Sequence, residues 1–438
     1  MAIPSVGSSA SSAIPSAQAT SNSRAMAVVT SLFFMWGFVT CLNDIVIPHL
    51  KSIFDLNYRE AMLVQLFFFS SYTIFSFPSG WLIGRVGYQR SMTVGLCVMA
   101  LGTILFLPAA NIPAFVFFLT ALFIVAGGMT VLQVSANPYV SVLGTPEHAS
   151  SRLNLTQAFN SLGTFIAPYF GGLLILSTAP LAFDQIQKLD PAALQAYRLH
   201  EAATVKFPYL LITGALLLLA FLISLFHLPR IESAEHITEA DRNKPIPSLG
   251  SQRHLVLGVV GIFLYVGAEV SIGSFLVNYF KEPAIGNMLE KTAAFLVSFY
   301  WGGAMVGRFI GSAILQKVKP GLLLGVFAVA AALLTCTSML TSGYVAVVTI
   351  ILVGLFNSIM FPTIFTLGIA GLGPLTARGS GLLIAAILGG GIIPVLQGAL
   401  ADNVGIHHAF ILPVICYLYI VFYGFRGSKP PARTVVPA

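Results

Sequence analysis

The chain is 438 residues long, 57% hydrophobic and 8% charged, with a mean hydropathy of +0.89, whereas soluble chains carry about 25% charged residues. An ordinary soluble protein is excluded. The net charge of +7 does not point to nucleic acid, because the basic residues stand singly at the ends of apolar blocks rather than in one patch.

From the N-terminus, residues 1–24 are rich in Ser, Ala and Pro, with Arg24 the one basic residue and no apolar core, so they read as a disordered tail rather than a signal peptide. Apolar blocks follow at roughly 25–50, 60–86, 91–109, 114–142, 153–177, 206–228, 254–280, 292–317, 321–341, 344–371, 377–401 and 409–426. Each is about as long as a helix needs to cross a 30 Å hydrocarbon core. The reading is an all-α membrane protein with twelve transmembrane helices; a β-barrel would alternate apolar and polar residues. The 40 glycines and 24 prolines suit such helices, where small residues permit close approach.

The most polar stretch, residues 229–252, carries Glu232, Glu235, Glu239 and Asp241 beside Arg230, Arg242 and Lys244. It is read as a cytoplasmic linker between six-helix bundles at 25–228 and 253–426, with a tail at 427–438. A second polar stretch, 178–206, reads as a solvated loop. Basic residues are twice as frequent on the side of the N-terminus, which includes Arg85, Arg90, Arg152, Lys317, Lys319 and Arg378, as on the other, which includes Lys51, Lys188 and Lys281. Basic loops stay in the cytoplasm, so both termini are expected there.

The halves resemble each other. Arg152, Gly163, Pro168 and Gly172 of the fifth span are matched at one constant offset by Arg378, Gly389, Pro394 and Gly398 of the eleventh. A parallel repeat of two six-helix units follows, and such repeats place a substrate site near the midplane between the halves.

Ionisable groups inside a span cost at least about 2.5 to 3.5 kcal/mol on insertion scales and therefore face a cavity or a partner. Asp44 in the first span, Glu269 in the seventh and Arg308 in the eighth are such groups. Asp44 and Glu269 fall at nearly equivalent places in the repeat, which makes them the candidates for cation coupling. Polar residues recur at helical spacing: Trp36, Thr40 and Asn43; Gln133 and Asn137; Gln157, Asn160 and Thr164; Asn357 with Phe361. Carboxamides donate and accept at once, matching vicinal hydroxyls, while aromatic rings cover the C–H face of a sugar. Trp36, Tyr265, Tyr300 and Trp301 are the candidate rings. For any single amide, an interhelical hydrogen bond is the competing reading.

Enzyme signatures are missing: there is no HExxH, P-loop or dinucleotide fingerprint, and no cofactor is expected. Residues 80–90, GWLIGRVGYQR, resemble the loop motif GxLxDRxGRR of the major facilitator superfamily, with Gly84 in place of the usual Asp. Longer segments resemble one branch, the fucose:proton symporter family with its bacterial glucose/galactose transporters: LNDIVIPHLK around Asp44, GGMTVLQVSANPYVSVLG at 127–144, RLNLTQAFNSLGT at 152–164, GLFNSIMFPTIFTLGI at 354–369 and GSGLLIAAILGGGIIPVLQG at 379–398.

The resemblance covers about residues 28–425 and implies the major facilitator fold, with a monosaccharide carried by alternating access on a cation gradient. It implies Asp44 as the coupling carboxylate. In the fucose branch a Glu of the fourth helix joins that Asp, and here Gln133 stands at its position while Glu269 stands in the seventh, an exchange that favours the glucose/galactose branch. The expectation is a monomeric hexose symporter of the bacterial inner membrane, coupled to H⁺ or Na⁺. Asp44 and Glu269 would serve coupling, and Trp36, Asn43, Gln133, Asn137, Gln157, Asn160, Glu269, Tyr300 and Asn357 would bind sugar. A uniporter, a drug-efflux pump and a non-transporting sugar sensor of the same fold are the alternatives.

Overall fold

The computed structural model describes residues 23–41, 58–111, 115–174, 189–190, 192–194, 196–197, 206–226, 228–229 and 248–430. Most of the N-terminal tail, of the 178–206 stretch and of the linker, the end of the C-terminal tail, and Asn43 and Asp44 lie outside the described residues. Every described element is helical.

The first span is Ser23–Cys41 as described. The second and third are one continuous element, Tyr58–Ile104, of 47 residues. At 1.5 Å per residue that is about 70 Å, twice what a bilayer core requires. The chain turns at Gly87, whose φ of 82° and ψ of 172° lie where a side chain would be strained, within the gap left between the predicted spans. The fourth span is Phe115–Val142, the fifth Ala149–Leu174 and the sixth Lys206–Leu225. The second half repeats the pattern with Arg253–Lys281, Glu290–Ile314 and Pro320–Leu340 as spans seven to nine. The tenth is divided into Gly343–Asn357 and Met360–Ile369, and the eleventh into Thr376–Ala385 and Gly389–Val404 around a short 3₁₀ turn. Ile411–Phe422 closes the twelfth with a π turn at Tyr423–Gly427.

The surface is built for lipid. The sixth span buries Tyr209, Ile212, Leu216 and Ile223 and exposes Leu217, Leu218, Phe221 and Leu225. Large apolar side chains in a continuous exposed band would drive aggregation in water and cost nothing against acyl chains.

The repeat read from the sequence has a packing counterpart. A Cβ placed on Gly163 would stand 2.2 Å from the Phe34 carbonyl oxygen, and one on Gly389 would stand 1.9 Å from the Phe263 carbonyl oxygen. The fifth span therefore meets the first as the eleventh meets the seventh, backbone to backbone at one matched glycine in each half.

The halves join through small polar groups. Ser150 and Thr366 hydroxyls lie 2.6 Å apart, Ser151 Oγ donates to the Ser312 carbonyl oxygen at 2.7 Å, and Ser312 Oγ returns the bond to the Ser151 carbonyl oxygen at 3.0 Å. Asn154 Nδ2 reaches Thr363 Oγ1 at 3.4 Å, and Thr73 Oγ1 donates to the Ala385 carbonyl oxygen at 3.3 Å. These residues lie from mid-span toward the end that holds the start of the fifth span and the close of the tenth. At that end the halves are shut against each other.

Candidate functional site

The fourth and fifth spans bring three predicted amides together. Gln157 Nε2 donates to Asn137 Oδ1 at 3.4 Å, and Gln133 Nε2 donates to the Tyr72 hydroxyl at 3.2 Å. All three amides are buried, yet Gln133 Oε1 and Asn137 Nδ2 have no partner among the described residues. A buried group left in that state costs about 1 to 3 kcal/mol. One acceptor and one donor, a turn apart on one helix face, are thus left without a partner among the described residues. Asn160 is placed differently, since its Nδ2 donates to the Phe33 carbonyl oxygen at 2.9 Å and ties the fifth span to the first. Trp36, 9% exposed, packs against Phe33 with ring centroids 5.4 Å apart.

The second cluster lies inside the second half. Tyr300 donates its hydroxyl to the main-chain carbonyl oxygen of Glu269 at 3.2 Å and accepts from Asn357 Nδ2 at 2.8 Å. Glu269 Oε1 is buried without a hydrogen-bond donor among the described residues, and Arg308 Nη2 stands 3.9 Å away. Glu269, Tyr300 and Asn357 are thus brought together. Trp301 is not among them: it is 44% exposed and its ring lies over Gly273 of the seventh span.

The role of Arg308 comes from a break in the tenth span. Pro362 lacks the N–H that would bond the carbonyl oxygen of Ser358 four residues earlier, so the helix opens between Asn357 and Met360 and frees two carbonyls. Tyr265 donates its hydroxyl to the Asn357 oxygen at 2.9 Å, and Arg308 Nε donates to the Ser358 oxygen at 3.2 Å. Arg308 Nη1 also donates to Ser161 Oγ in the opposite half. One guanidinium joins the broken helix, the Glu269 carboxylate and the other bundle. Pro362 was the signal in the sequence that could have pointed to the break; nothing local pointed to its partners.

Compared with known proteins, residues 27–387 match the Major Facilitator Superfamily. The chain is 51% identical to the glucose/galactose transporter of Brucella abortus over 92% of its own length and 94% of that protein's. It is 36% identical to the L-fucose-proton symporter of Escherichia coli, covering 92% and 93%. It superposes on the crystal structure of FucP, a transporter of the superfamily solved in the outward conformation, with a TM-score of 0.85 at 34% identity, covering 92% of this chain and 98% of that one. With its twelve helices in two matched bundles, the chain belongs to the Major Facilitator Superfamily, in the branch of the fucose-proton symporters and bacterial glucose/galactose transporters, and is a multi-pass membrane transporter rather than an enzyme.

Proposed function

We propose that this protein imports a hexose of the glucose/galactose type across the bacterial inner membrane by cation symport, acting as a monomer with both termini in the cytoplasm. The observation that carries this reading is the pair of unused buried groups, Gln133 Oε1 and Asn137 Nδ2, because a hydroxylated ligand satisfies an acceptor and a donor together. The names of the relatives support the same substrate class. The polar contacts between the halves are shut at one end, and the chain superposes on a relative solved in its outward conformation; both support a state closed toward the cytoplasm. The bundles at 25–228 and 253–426 are then the bodies that rock about the site.

Asp44 serves as the coupling carboxylate, with Glu269 on the sugar side. Purified protein in proteoliposomes should accumulate labelled glucose or galactose under an H⁺ or a Na⁺ gradient, and imposing the two gradients separately identifies the ion. Equilibration without accumulation would indicate a uniporter; no hexose flux under either gradient refutes the proposal. Asp44→Asn keeps the volume and loses the titrating group, so gradient-driven accumulation should vanish while exchange of sugar persists. If Asp44→Asn still accumulates and Glu269→Gln does not, coupling belongs to the seventh span.

Alanine at Gln133 or Gln157 should weaken sugar binding by roughly 5- to 150-fold, as expected for about 1 to 3 kcal/mol per lost hydrogen bond in a dry site. Unchanged affinity in both variants, measured by calorimetry, would assign these amides to helix packing alone.

A further inference from the structure

Between the second and eleventh spans, where the halves meet at the shut end, lies a groove of about 540 Å³. Phe77, Trp81, Leu375 and Leu382 give it apolar walls, and Arg85 and Arg378 are its charged groups. Phe77 and Trp81 are 55% and 57% exposed, and large apolar side chains exposed on a membrane span suit contact with acyl chains, so the groove is placed to open to the bilayer. Arg85 lies over the Trp81 ring, 4.0 Å from its centroid, the arrangement of an aromatic ring at a membrane interface beside a cation.

The two arginines face each other's charge across the groove lining. No carboxylate pairs with either among the described residues. The repeat makes this informative, because Arg152, the counterpart of Arg378, is fully engaged, donating to the carbonyl oxygens of Val140 at 3.2 Å, Ser141 at 2.7 Å and Thr145 at 2.8 Å. At Gly84, where the loop motif carries an acid, a Cβ would meet nothing within 4 Å. The missing carboxylate leaves both the space and the positive charge.

We propose that this groove binds an anionic phospholipid, its headgroup phosphate held by Arg85 and Arg378 and an acyl chain lying along Phe77 and Trp81. Basic pockets between helices at the cytoplasmic face suit such headgroups. The site joins both halves: a Cβ on Gly80 would come within 3.1 Å of the Ala377 carbonyl oxygen, so the two helices touch at its floor, and a bound lipid favours the shut state. The proposal does not depend on which solute is carried.

The test is native mass spectrometry of the full-length protein with equal amounts of phosphatidylglycerol and phosphatidylcholine. Phosphatidylglycerol adducts should predominate. Each arginine near the surface contributes roughly five-fold, so Arg85→Gln/Arg378→Gln should reduce the preference about thirty-fold, while Arg85→Lys/Arg378→Lys keeps most of it and controls for folding. Gly84→Asp, which places one carboxylate beside the arginines, should reduce the preference about five-fold. Equal binding of both lipids, or a preference that survives the double Gln substitution, overturns the proposal. So does displacement of the lipid by glycerol phosphate at equal concentration, which would make a soluble phosphate the ligand. If phosphatidylglycerol binds only after Glu232→Gln/Glu235→Gln, the chain's own linker occupies the groove and the lipid assignment fails.

Discussion

Arg308→Met is expected to cost about 3 to 5 kcal/mol of stability, the range seen when one partner of a buried charge pair is removed. Three groups lose a partner at once: the Glu269 carboxylate its counter-charge at 3.9 Å, and the Ser358 carbonyl oxygen left open by Pro362 and Ser161 Oγ across the interface a hydrogen-bond donor each. Lys is no substitute, because a compact ammonium cannot present the planar fork that reaches several partners together. Adding Glu269→Gln to Arg308→Met should recover part of the loss, since no uncompensated carboxylate then remains. A double-mutant cycle by thermal unfolding in detergent reads this directly, with a coupling of at least about 1 kcal/mol expected for groups in contact. Strictly additive effects would mean that the carboxylate and the guanidinium do not interact, leaving Arg308 as a cap on the broken tenth span.

Gly389→Ala should be as damaging as a much larger substitution elsewhere. The added methyl would stand 1.9 Å from the Phe263 carbonyl oxygen, and a backbone atom in a packed helix cannot step aside as a side chain can. Overpacking of this kind costs typically about 1 to 3 kcal/mol and more when the backbone must move. Gly163→Ala, at 2.2 Å from the Phe34 carbonyl oxygen, should behave alike, because the repeat gives it the same task. Gly214→Ala in the sixth span is the control, with nothing within 4 Å of its Cβ. Fluorescence-detected size exclusion after heating should show early loss of the first two variants and a normal profile for the third. If Gly389→Ala matched Gly214→Ala, the seventh and eleventh spans would not be in backbone contact.

The sequence by itself determined the membrane class, the twelve spans and the two-fold repeat. Hydropathy and length are local quantities, and the bilayer imposes one thickness on every helix, so the predicted ends of the seventh span, 254 and 280, differ from Arg253 and Lys281 by one residue each. The match of Gly163 with Gly389 was equally legible, because equal packing in two halves requires the same small residue at the same register. The break in the tenth span was only half legible. Pro362 announces a missing hydrogen bond, but which group takes up the freed carbonyl depends on helices 50 and more residues away.

Tertiary structure alone decided the fate of the polar residues. Asn160 and Gln133 are the same chemistry in apolar helices, yet one amide is committed to the Phe33 carbonyl and the other keeps an oxygen without a partner among the described residues. Tyr300 and Trp301 are neighbours, yet one is buried against Asn357 and the other is exposed, because adjacent residues on a helix point about 100° apart. Arg308 reached three partners on three different spans, and no local pattern encodes such a set. A hydrogen bond depends on angstrom-level placement of both groups, and that placement exists only once the helices have packed.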